Sequence, residues 1–363
     1  MKPVRILHVI DGLKSGGAET FIMNIYRNID RNNIQFDFLI RNQNGDVYSS
    51  EVKKLGGKIF FTAPFPRQPF NNFKDLIKFF KNNSDYRIMH VHANSLVYII
   101  PLLFARINKF NKIVLHSHNT KSVNRISRFI HLINRLFINK IITDRFACSL
   151  EAGKWMFGKE KSMIINNAID AKTFEYDINK RTNIKKQMGL DGKIIVGHVG
   201  RFVNQKNHIF VLRIFKEMVR NSERFVLLLV GDGPLKSKIE KEAEMLNIKK
   251  YILFTGIRDD VSDLFQIMDV FLFPSLYEGL PFTLIEAQAS GLPCIISDTI
   301  SNEAVITDLV VRLSLESSSQ LWVNEIIKAL NFDNKRTGKY KEIRKTKFDV
   351  KNNTEWIEKF YLS

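Results

Sequence analysis

The chain has 363 residues, of which 45% are hydrophobic and only two are cysteines, and its net charge is +18. This length favours two domains of ordinary size, and the composition excludes a collagen-like, disordered or disulfide-stapled chain. Because Cys148 and Cys294 both lie in apolar stretches, we expect reduced, packed thiols and a cytoplasmic protein.

The sequence shows no secretory signal and no membrane-spanning segment. Its longest apolar stretch, Leu96 to Ala105, is interrupted by Pro101 and falls short of the roughly 20 residues that cross a bilayer. Residues 1–168 carry a net charge of +15, against +3 for residues 169–363. Such a bias suits a nucleic acid or an anionic membrane surface, unless it only reflects a proteome rich in lysine and asparagine.

Short apolar runs alternate with helical stretches in the first half, which is typical of a parallel α/β sheet. A strand at Val4–Ile10 leads through a glycine-bearing loop into a helix from about Ala18 to Asn28. Further strands are predicted at Phe36–Ile40, Lys58–Thr62, Ile88–His92, Ile113–Ser117 and Arg145–Cys148.

The pattern restarts in the second half, with helices from about His208 to Arg220 and from about Leu235 to Leu246. The predicted strands are Ile194–Gly200, Phe225–Val230, Ile252–Thr255, Val270–Phe273 and Cys294–Ser297. The polar segment 170–191 lacks a clear strand, so we place the domain linker there. The domains are then residues 1–170 and 171–353, with a last helix at 354–363 that packs back on the first.

Two motifs follow predicted strands and suit phosphate. Gly16 and Gly17 precede a helix, whose N-terminal N–H groups and dipole favour an anion; a tight strand–helix turn explains the glycines almost as well. Arg201 follows the strand Ile194–Gly200, and Lys206 begins the next helix. Two cations at a strand end could hold a diphosphate, the alternative being solvated surface charges.

The most specific motif is the segment FPSLYEGLPFTLIEA, which joins a buried strand to a helix. Pro281 suits the first helical turn, where a missing N–H costs nothing. Glu278 lies in the loop before this helix, and Glu286 lies inside it among apolar and small residues. A carboxylate there must be paired or bind something, so the two predict contacts to ligand hydroxyls; alternatively, Glu286 only caps the helix or forms a salt bridge.

The motifs SGGAE, GRF followed by KN, GDGP, FTG and SLYEGLPFTLIEA together resemble those of retaining glycosyltransferases, most closely glycosyltransferase family four and its exopolysaccharide and capsule enzymes. The resemblance spans Val4 to about Leu313. It implies the α/β GT-B fold, with two facing Rossmann-like domains, parallel sheets and an interdomain cleft. The first domain would bind the acceptor and the second the nucleotide-sugar donor.

The resemblance also assigns residues. It implies that Glu286 binds the ribose, that Glu278 binds donor-sugar hydroxyls, and that Arg201 and Lys206 bind the diphosphate. Further donor-binding candidates are Gly16, Gly17, Gly231, Ile257, Gly279 and Leu280. The catalytic candidates are His118, Glu278, Arg201 and Lys206.

His118 is chosen from a pair, because both His116 and His118 lie where a strand ends. Family members often carry a histidine at the position of His118, where it contacts the donor sugar. We expect His116 to point to the opposite face of the sheet. A lone histidine is more often structural, and His90 and His92 are secondary candidates for the lining of the cleft.

No Asp-x-Asp element and no zinc-spaced Cys/His cluster occur in the sequence. We therefore expect no metal and no cofactor; the nucleotide sugar, expected to be UDP-linked, is a substrate. Arg201 and Lys206 would stabilise the leaving diphosphate electrostatically. The resemblance implies front-side attack, with the leaving phosphate helping to deprotonate the acceptor.

A basic helix is predicted between Lys121 and Lys140. Its apolar residues recur at helical spacing, and a separate stripe is basic: Lys121, Arg125, Arg128 and Arg135. An ordinary amphipathic helix explains this pattern; the alternative is attachment to an anionic membrane, at the inner face of the cell membrane, where a glycan or polyprenyl-diphosphate-linked acceptor would be presented.

Two other functions stay open from the residues alone. A nucleotide-sugar 2-epimerase of the same fold would turn over its nucleotide sugar without an acceptor. A non-enzymatic basic protein that binds nucleic acid would fit the charge, but no nucleic-acid-binding motif is present, so we expect no nucleic-acid partner.

Overall fold

The computed structural model describes residues 2–14, 16–119, 124–278, 280–331 and 336–363. The chain divides into two compact units. Unit 1 comprises Met1–Ala168 and Val350–Ser363, and unit 2 comprises Ile169–Asp349. Residues 350–363 carry two basic and two acidic side chains, so unit 1 keeps the net charge of +15.

Within each of the two sheets, all paired strands are parallel. They are β1 (Val4–Ile10), β2 (Ile34–Ile40), β3 (Ile59–Phe61), β4 (Ile88–Ala93), β5 (Lys112–Ser117), β6 (Asp144–Ala147), β7 (Met163–Ile164), β8 (Ile194–Val199), β9 (Phe225–Val230), β10 (Ile252–Gly256), β11 (Val270–Phe273), β12 (Cys294–Ser297) and β13 (Val310–Leu313).

Helices follow most of the strands, as a parallel sheet requires. They are α1 (Gly17–Asn28), α2 (Ser49–Lys54), α3 (Pro69–Asn82), α4 (Ile100–Ile107), α5 (Arg125–Ile141), α6 (Leu150–Phe157), α7 (Ile178–Gln187), α8 (His208–Asn221), α9 (Lys236–Met245), α10 (Val261–Ile267), α11 (Phe282–Ala289), α12 (Ser319–Asn331), α13 (Tyr340–Arg344) and α14 (Val350–Leu362). Within the described residues, no helix has the length and apolar character needed to cross a bilayer.

Unit 1 is built on a sheet with the strand order β3-β2-β1-β4-β5-β6-β7. Helices α1 and α14 cover one face, where Phe21, Tyr26 and Ile357 are buried. Helices α3, α4 and α6 cover the other face, where Leu76 and Leu102 are buried. Strands β2 and β3 lie on one side of β1, and the later strands β4 to β7 lie on its other side. This change of side creates a crevice between the carboxyl ends of β1 and β4.

Unit 2 repeats this plan with the strand order β10-β9-β8-β11-β12-β13. Its central strands are largely apolar because both faces are covered, and all six residues of β9 are buried. The equivalent crevice lies between the carboxyl ends of β8 and β11. These two units confirm the predicted α/β class.

The segment 170–191 differs from the sequence-based prediction. Instead of a linker, it forms a short 3-10 turn and helix α7, both within unit 2. Arg181 on α7 donates to Asp269 Oδ1 at 2.7 Å and to the carbonyl of Met268 at 2.9 Å. The helix has no buried residue, so it lacks the apolar stripe by which sequence patterns reveal helices.

Candidate functional site

The crevice of unit 2 brings together polar residues from two loops. Gln205 and Lys206 lie in the loop after β8, and Glu278 lies in the loop after β11. Ligands of open parallel sheets bind at this kind of position. It lies outside the carboxyl ends of two adjacent strands whose connections lead to opposite sides of the sheet. Residues separated by more than 70 positions therefore form one polar group.

Lys206 and Glu278 form a buried ion pair. Lys206 Nζ donates to Glu278 Oε1 at 2.8 Å, and only 14% and 7% of the two side chains are exposed. Gln205 Nε2 donates to the other oxygen, Oε2, at 3.0 Å. Lys206 Nζ also lies 4.5 Å from the ring centre of Phe273, a cation–π contact. Since each carboxylate oxygen can accept about two hydrogen bonds, Glu278 can still receive a ligand hydroxyl.

Arg201 occupies a different environment at the end of β8. It is exposed and makes no ion pair within the described residues, so its guanidinium is available to an anion. Gly231, at the end of β9, has a φ of +133°, and an added Cβ there would lie 2.2 Å from the carbonyl oxygen of Gly200. Glycine at 231 thus permits the close approach of two strand ends. Ile257, after β10, is 84% exposed.

Glu286 lies in the middle of α11, between the fully buried Ile285 and Ala287. Burial raises the pKa of its carboxyl to about 7. Among the described residues no ion pair or hydrogen bond to this carboxylate is found, so the predicted alternative of a salt bridge is not seen. Leu280, before α11, packs against two apolar clusters of unit 2, and Gly279 lies outside the described residues.

Unit 1 has a polar cavity of about 380 Å³ at the crevice between β1 and β4. Asp11, Glu19, Arg41, His92 and His118 are among the residues that line it. Arg41 Nε donates to Asp11 Oδ1 at 2.9 Å, and burial raises the pKa of Glu19.

The two predicted glycines stand beside this cavity, before and at the start of α1. A Cβ at Gly16 would lie 2.3 Å from Glu19 Oε2, the far end of a flexible side chain, and one at Gly17 would meet nothing closer than 3.7 Å. Space alone therefore requires glycine at neither position.

Five histidines gather at the cavity, on β1, β4 and at the end of β5. They are His8, His90, His92, His116 and His118. His92 and His118 line the cavity, whereas His90, also expected to line the cleft, is not among its lining residues. The expectation that His116 and His118 face opposite sides is wrong: their rings stack with centres 4.2 Å apart, because residues two apart in a strand share a face.

This histidine cluster was missed from the sequence. Ring nitrogens of His8, His90 and His92 lie within 4.8 Å of one another, as do those of His92, His116 and His118. The spacing of the histidines along the chain does not reveal it, because three separate strands contribute. The sequence did contain one signal for the cluster: each of three apolar runs predicted to be strands contains at least one histidine.

Helix α5 also differs from the expected amphipathic arrangement. Most of its apolar side chains face outward, with Ile126 74%, Phe129 65% and Leu136 73% exposed. Its buried residues are His131 and Ile138. Arg125 and Arg128 are exposed, Arg135 is partly buried, and Lys121 lies outside the described residues.

Comparison with known proteins identifies the family. The family model described as "Glycosyl transferases group 1" matches residues 180–346. The protein EpsF of Bacillus subtilis (strain 168), named as a glycosyltransferase, is 37% identical over 336 residues, which cover 90% of this chain and 87% of EpsF. The chain belongs to the group 1 glycosyltransferases.

One further relative and one solved structure of similar fold cover most of the length of this glycosyltransferase. The UDP-Gal:alpha-D-GlcNAc-diphosphoundecaprenol alpha-1,3-galactosyltransferase of Escherichia coli is 30% identical over 248 residues, 64% of each chain. HepE of Anabaena, solved in complex with UDP, shares the fold with a TM-score of 0.75 at 16% identity, over 99% of each chain. The structure is thus a GT-B fold, and the protein is an enzyme, which removes the non-enzymatic alternative.

The family match covers the polar crevice of unit 2. Arg201, Lys206, Glu278 and Glu286 all lie within residues 180–346. The matched range therefore includes two cations and two carboxylates, of which Lys206 and Glu278 are in contact in the crevice. Guanidinium and ammonium groups can donate hydrogen bonds to a diphosphate, and carboxylates can accept them from sugar hydroxyls.

Proposed function

We propose that this glycosyltransferase transfers a sugar from a UDP-linked donor to a hydroxyl of a glycan acceptor in polysaccharide biosynthesis. The observation that carries this is the crevice of unit 2, where the ion pair between Lys206 and Glu278 lies outside the carboxyl ends of β8 and β11 and Arg201 directly follows β8. Two relatives support the donor: one is named for UDP-Gal, and another is solved with UDP. The former is also named for a diphosphoundecaprenol-linked sugar, which supports a lipid-linked acceptor.

The proposed reaction retains the configuration of the sugar. The bond between the sugar C1 and the diphosphate oxygen breaks, and the acceptor oxygen bonds C1 from the same face. The acceptor proton passes to the leaving phosphate oxygen. Arg201 and Lys206 stabilise the negative charge that grows on the diphosphate, while Glu278 and His118 bind sugar hydroxyls and Glu286 binds the ribose.

The role of Glu286 predicts a pH-dependent affinity for UDP. An ionised carboxylate accepts hydrogen bonds from both ribose hydroxyls, and burial raises the pKa of Glu286 to about 7. Because binding then favours the ionised form, affinity should fall about tenfold as the pH drops from 8 to 6. Glu286→Ala should weaken binding at pH 8 by roughly 1.5–3 kcal/mol and remove this carboxyl's contribution to the pH dependence.

Calorimetry with UDP and with uridine measures both effects. Uridine is the control, because it has the ribose but lacks the phosphate groups, which themselves titrate near pH 6. Wild-type affinity in the Glu286→Ala variant at pH 8 would contradict the ribose assignment.

Metal independence is a second prediction. Arg201 and Lys206 supply positive charge for the diphosphate, so turnover should survive exhaustive treatment with EDTA. The assay follows release of UDP from UDP-sugars before and after chelation. A loss of turnover that magnesium or manganese restores would show that a metal ion, rather than these side chains alone, neutralises the leaving group.

Attachment of unit 1 to an anionic membrane is part of the proposal. Unit 1 carries the excess of positive charge, and α5 exposes both apolar and basic side chains. Helices α3 and α4 of the same unit also expose apolar side chains, with Phe70 83% and Ile107 75% exposed. Exposed apolar residues flanked by arginine are typical of helices that lie in a membrane interface.

This attachment predicts binding to vesicles that contain anionic lipid. Each basic residue near such a surface contributes about 1 kcal/mol, so Arg125, Arg128 and Arg135 changed together to glutamine should lower binding clearly. Cosedimentation at low and high salt measures it, and binding should fall as salt rises.

The matched control for vesicle binding removes three exposed charges from unit 2, at Lys241, Lys249 and Lys250. It should bind vesicles like the wild type. Equal loss in both triple variants would show a charge effect without a defined surface, and absence of binding at low salt would favour a soluble acceptor.

A further inference from the structure

Three histidines form a hydrogen-bonded ladder from the core of unit 1 to its cavity. His8 Nδ1 lies 3.0 Å from His92 Nε2, and His92 Nδ1 lies 2.9 Å from His118 Nε2. His8 Nε2 and His118 Nδ1, at the two ends, are buried and have no hydrogen-bond partner among the described residues.

The number of protons restricts this ladder to two arrangements. Burial lowers the pKa of His8 and of His118 to about 3, and holds that of His92 well below its usual value, so each ring is neutral and carries one N–H. His92 uses both nitrogens, one as donor and one as acceptor. Both hydrogen bonds must therefore run in the same direction, and one end of the ladder keeps an unpaired N–H.

The surroundings of the two ends decide the direction. His8 is 2% exposed and its ring centre lies 4.1 Å from that of Phe36. A buried N–H without a partner is costlier and rarer than an unfilled lone pair. The ring of His118 lines the polar cavity, so its buried Nδ1 lies beside a space for water or a ligand oxygen, whereas His8 is not among the lining residues. The unpaired N–H therefore belongs at His118 and the unfilled lone pair at His8.

We propose that His8 and His92 are positioning residues, which hold His118 as the Nδ1–H tautomer and so make it a hydrogen-bond donor to a substrate oxygen. His8 Nδ1–H donates to His92 Nε2, and His92 Nδ1–H donates to His118 Nε2. His118 then serves as a donor rather than as a general base. That the oxygen belongs to a sugar rests on the proposed function; the tautomer does not.

Nitrogen NMR of the full-length protein, labelled with ¹⁵N-histidine, tests the tautomer directly at neutral pH. The signals that disappear in a His118→Gln variant identify the residue. We expect a protonated Nδ1 and an unprotonated Nε2. In the His92→Leu variant, which lacks the donor, His118 should lose this preference; His92→Asn, whose amide N–H can replace Nδ1–H, should restore it. Protonation of His118 at Nε2 in the wild type would overturn the proposal.

Kinetics with a panel of UDP-sugars, followed by UDP release, test the consequence. His92→Leu should lower kcat/KM about tenfold, the effect of one lost hydrogen bond in the transition state, and His92→Asn should recover most of it. The matched control is His90→Leu, which breaks the neighbouring contacts of His90 with Tyr361 and His116 but leaves the ladder to His118. It should keep wild-type turnover, and thermal unfolding verifies that all variants are folded.

The outcomes separate this inference from the proposed function. If the wild type turns over no UDP-sugar, the proposed function fails, while the NMR result still decides the tautomer. Equal losses of kcat/KM in His92→Leu and His90→Leu would show that His92 acts only through packing, and would overturn the positioning role. Equimolar zinc that survives dialysis and is lost in the His92→Leu variant would also overturn it, because a metal ion would take the ring nitrogens that the hydrogen bonds need.

Discussion

Arg201→Ala should lower turnover by about 100- to 1000-fold, the range observed when one group that stabilises developing negative charge is removed. Negative charge on the diphosphate grows as the sugar bond breaks, so the loss should be larger in the transition state than in the bound donor. Affinity for UDP should consequently fall much less than kcat. Because Arg201 is exposed, its removal should leave the fold intact.

The measurement compares kcat from UDP release with the UDP dissociation constant from calorimetry. Arg201→Lys keeps the charge but loses the planar fork that binds phosphate through two hydrogen bonds, so it should recover part of the loss. The matched control is Arg213→Ala, which removes an exposed arginine on α8 and should leave both kcat and the UDP dissociation constant unchanged. Equal losses in kcat and in UDP affinity would assign Arg201 to ground-state binding alone.

Lys206→Ala should destabilise unit 2 by about 3–5 kcal/mol, as expected when one partner of a buried ion pair is removed. Glu278 is 7% exposed in the intact pair, and without Lys206 the hydrogen bond from Gln205 would be its remaining described contact. Desolvation of an unpaired carboxylate is the physical cause of the loss. Chemical denaturation of the free enzyme measures it.

Two variants test the cause of this destabilisation. Adding Glu278→Gln to Lys206→Ala removes the unpaired charge and should restore much of the stability. Lys236→Ala breaks a more exposed pair, in which Lys236 Nζ lies 3.4 Å from Asp232 Oδ2, and should cost no more than about 1 kcal/mol. A loss in Lys206→Ala as small as that in Lys236→Ala would show that the pair is effectively solvated.

Continuous apolar runs predicted the sheets well because buried parallel strands read as such runs. Strands β9 and β11 have the predicted bounds. Strands β7 and β13 were missed, since β7 has only two residues and β13 contains the exposed Arg312. Helix α7 was missed because polar contacts, rather than an apolar stripe, hold it in unit 2.

The sequence by itself determined the α/β class, the repeated strand–helix pattern, and the loops in which Arg201, Lys206 and Glu278 lie. These features depend on local order along the chain, such as a polar residue that follows an apolar run. Tertiary structure alone decided that Lys206 pairs with Glu278, that three histidines form a ladder, and that α5 turns its apolar side outward. The physical reason is that such contacts depend on which strands become neighbours and on which side of a helix meets the sheet, and both are set by packing between distant segments.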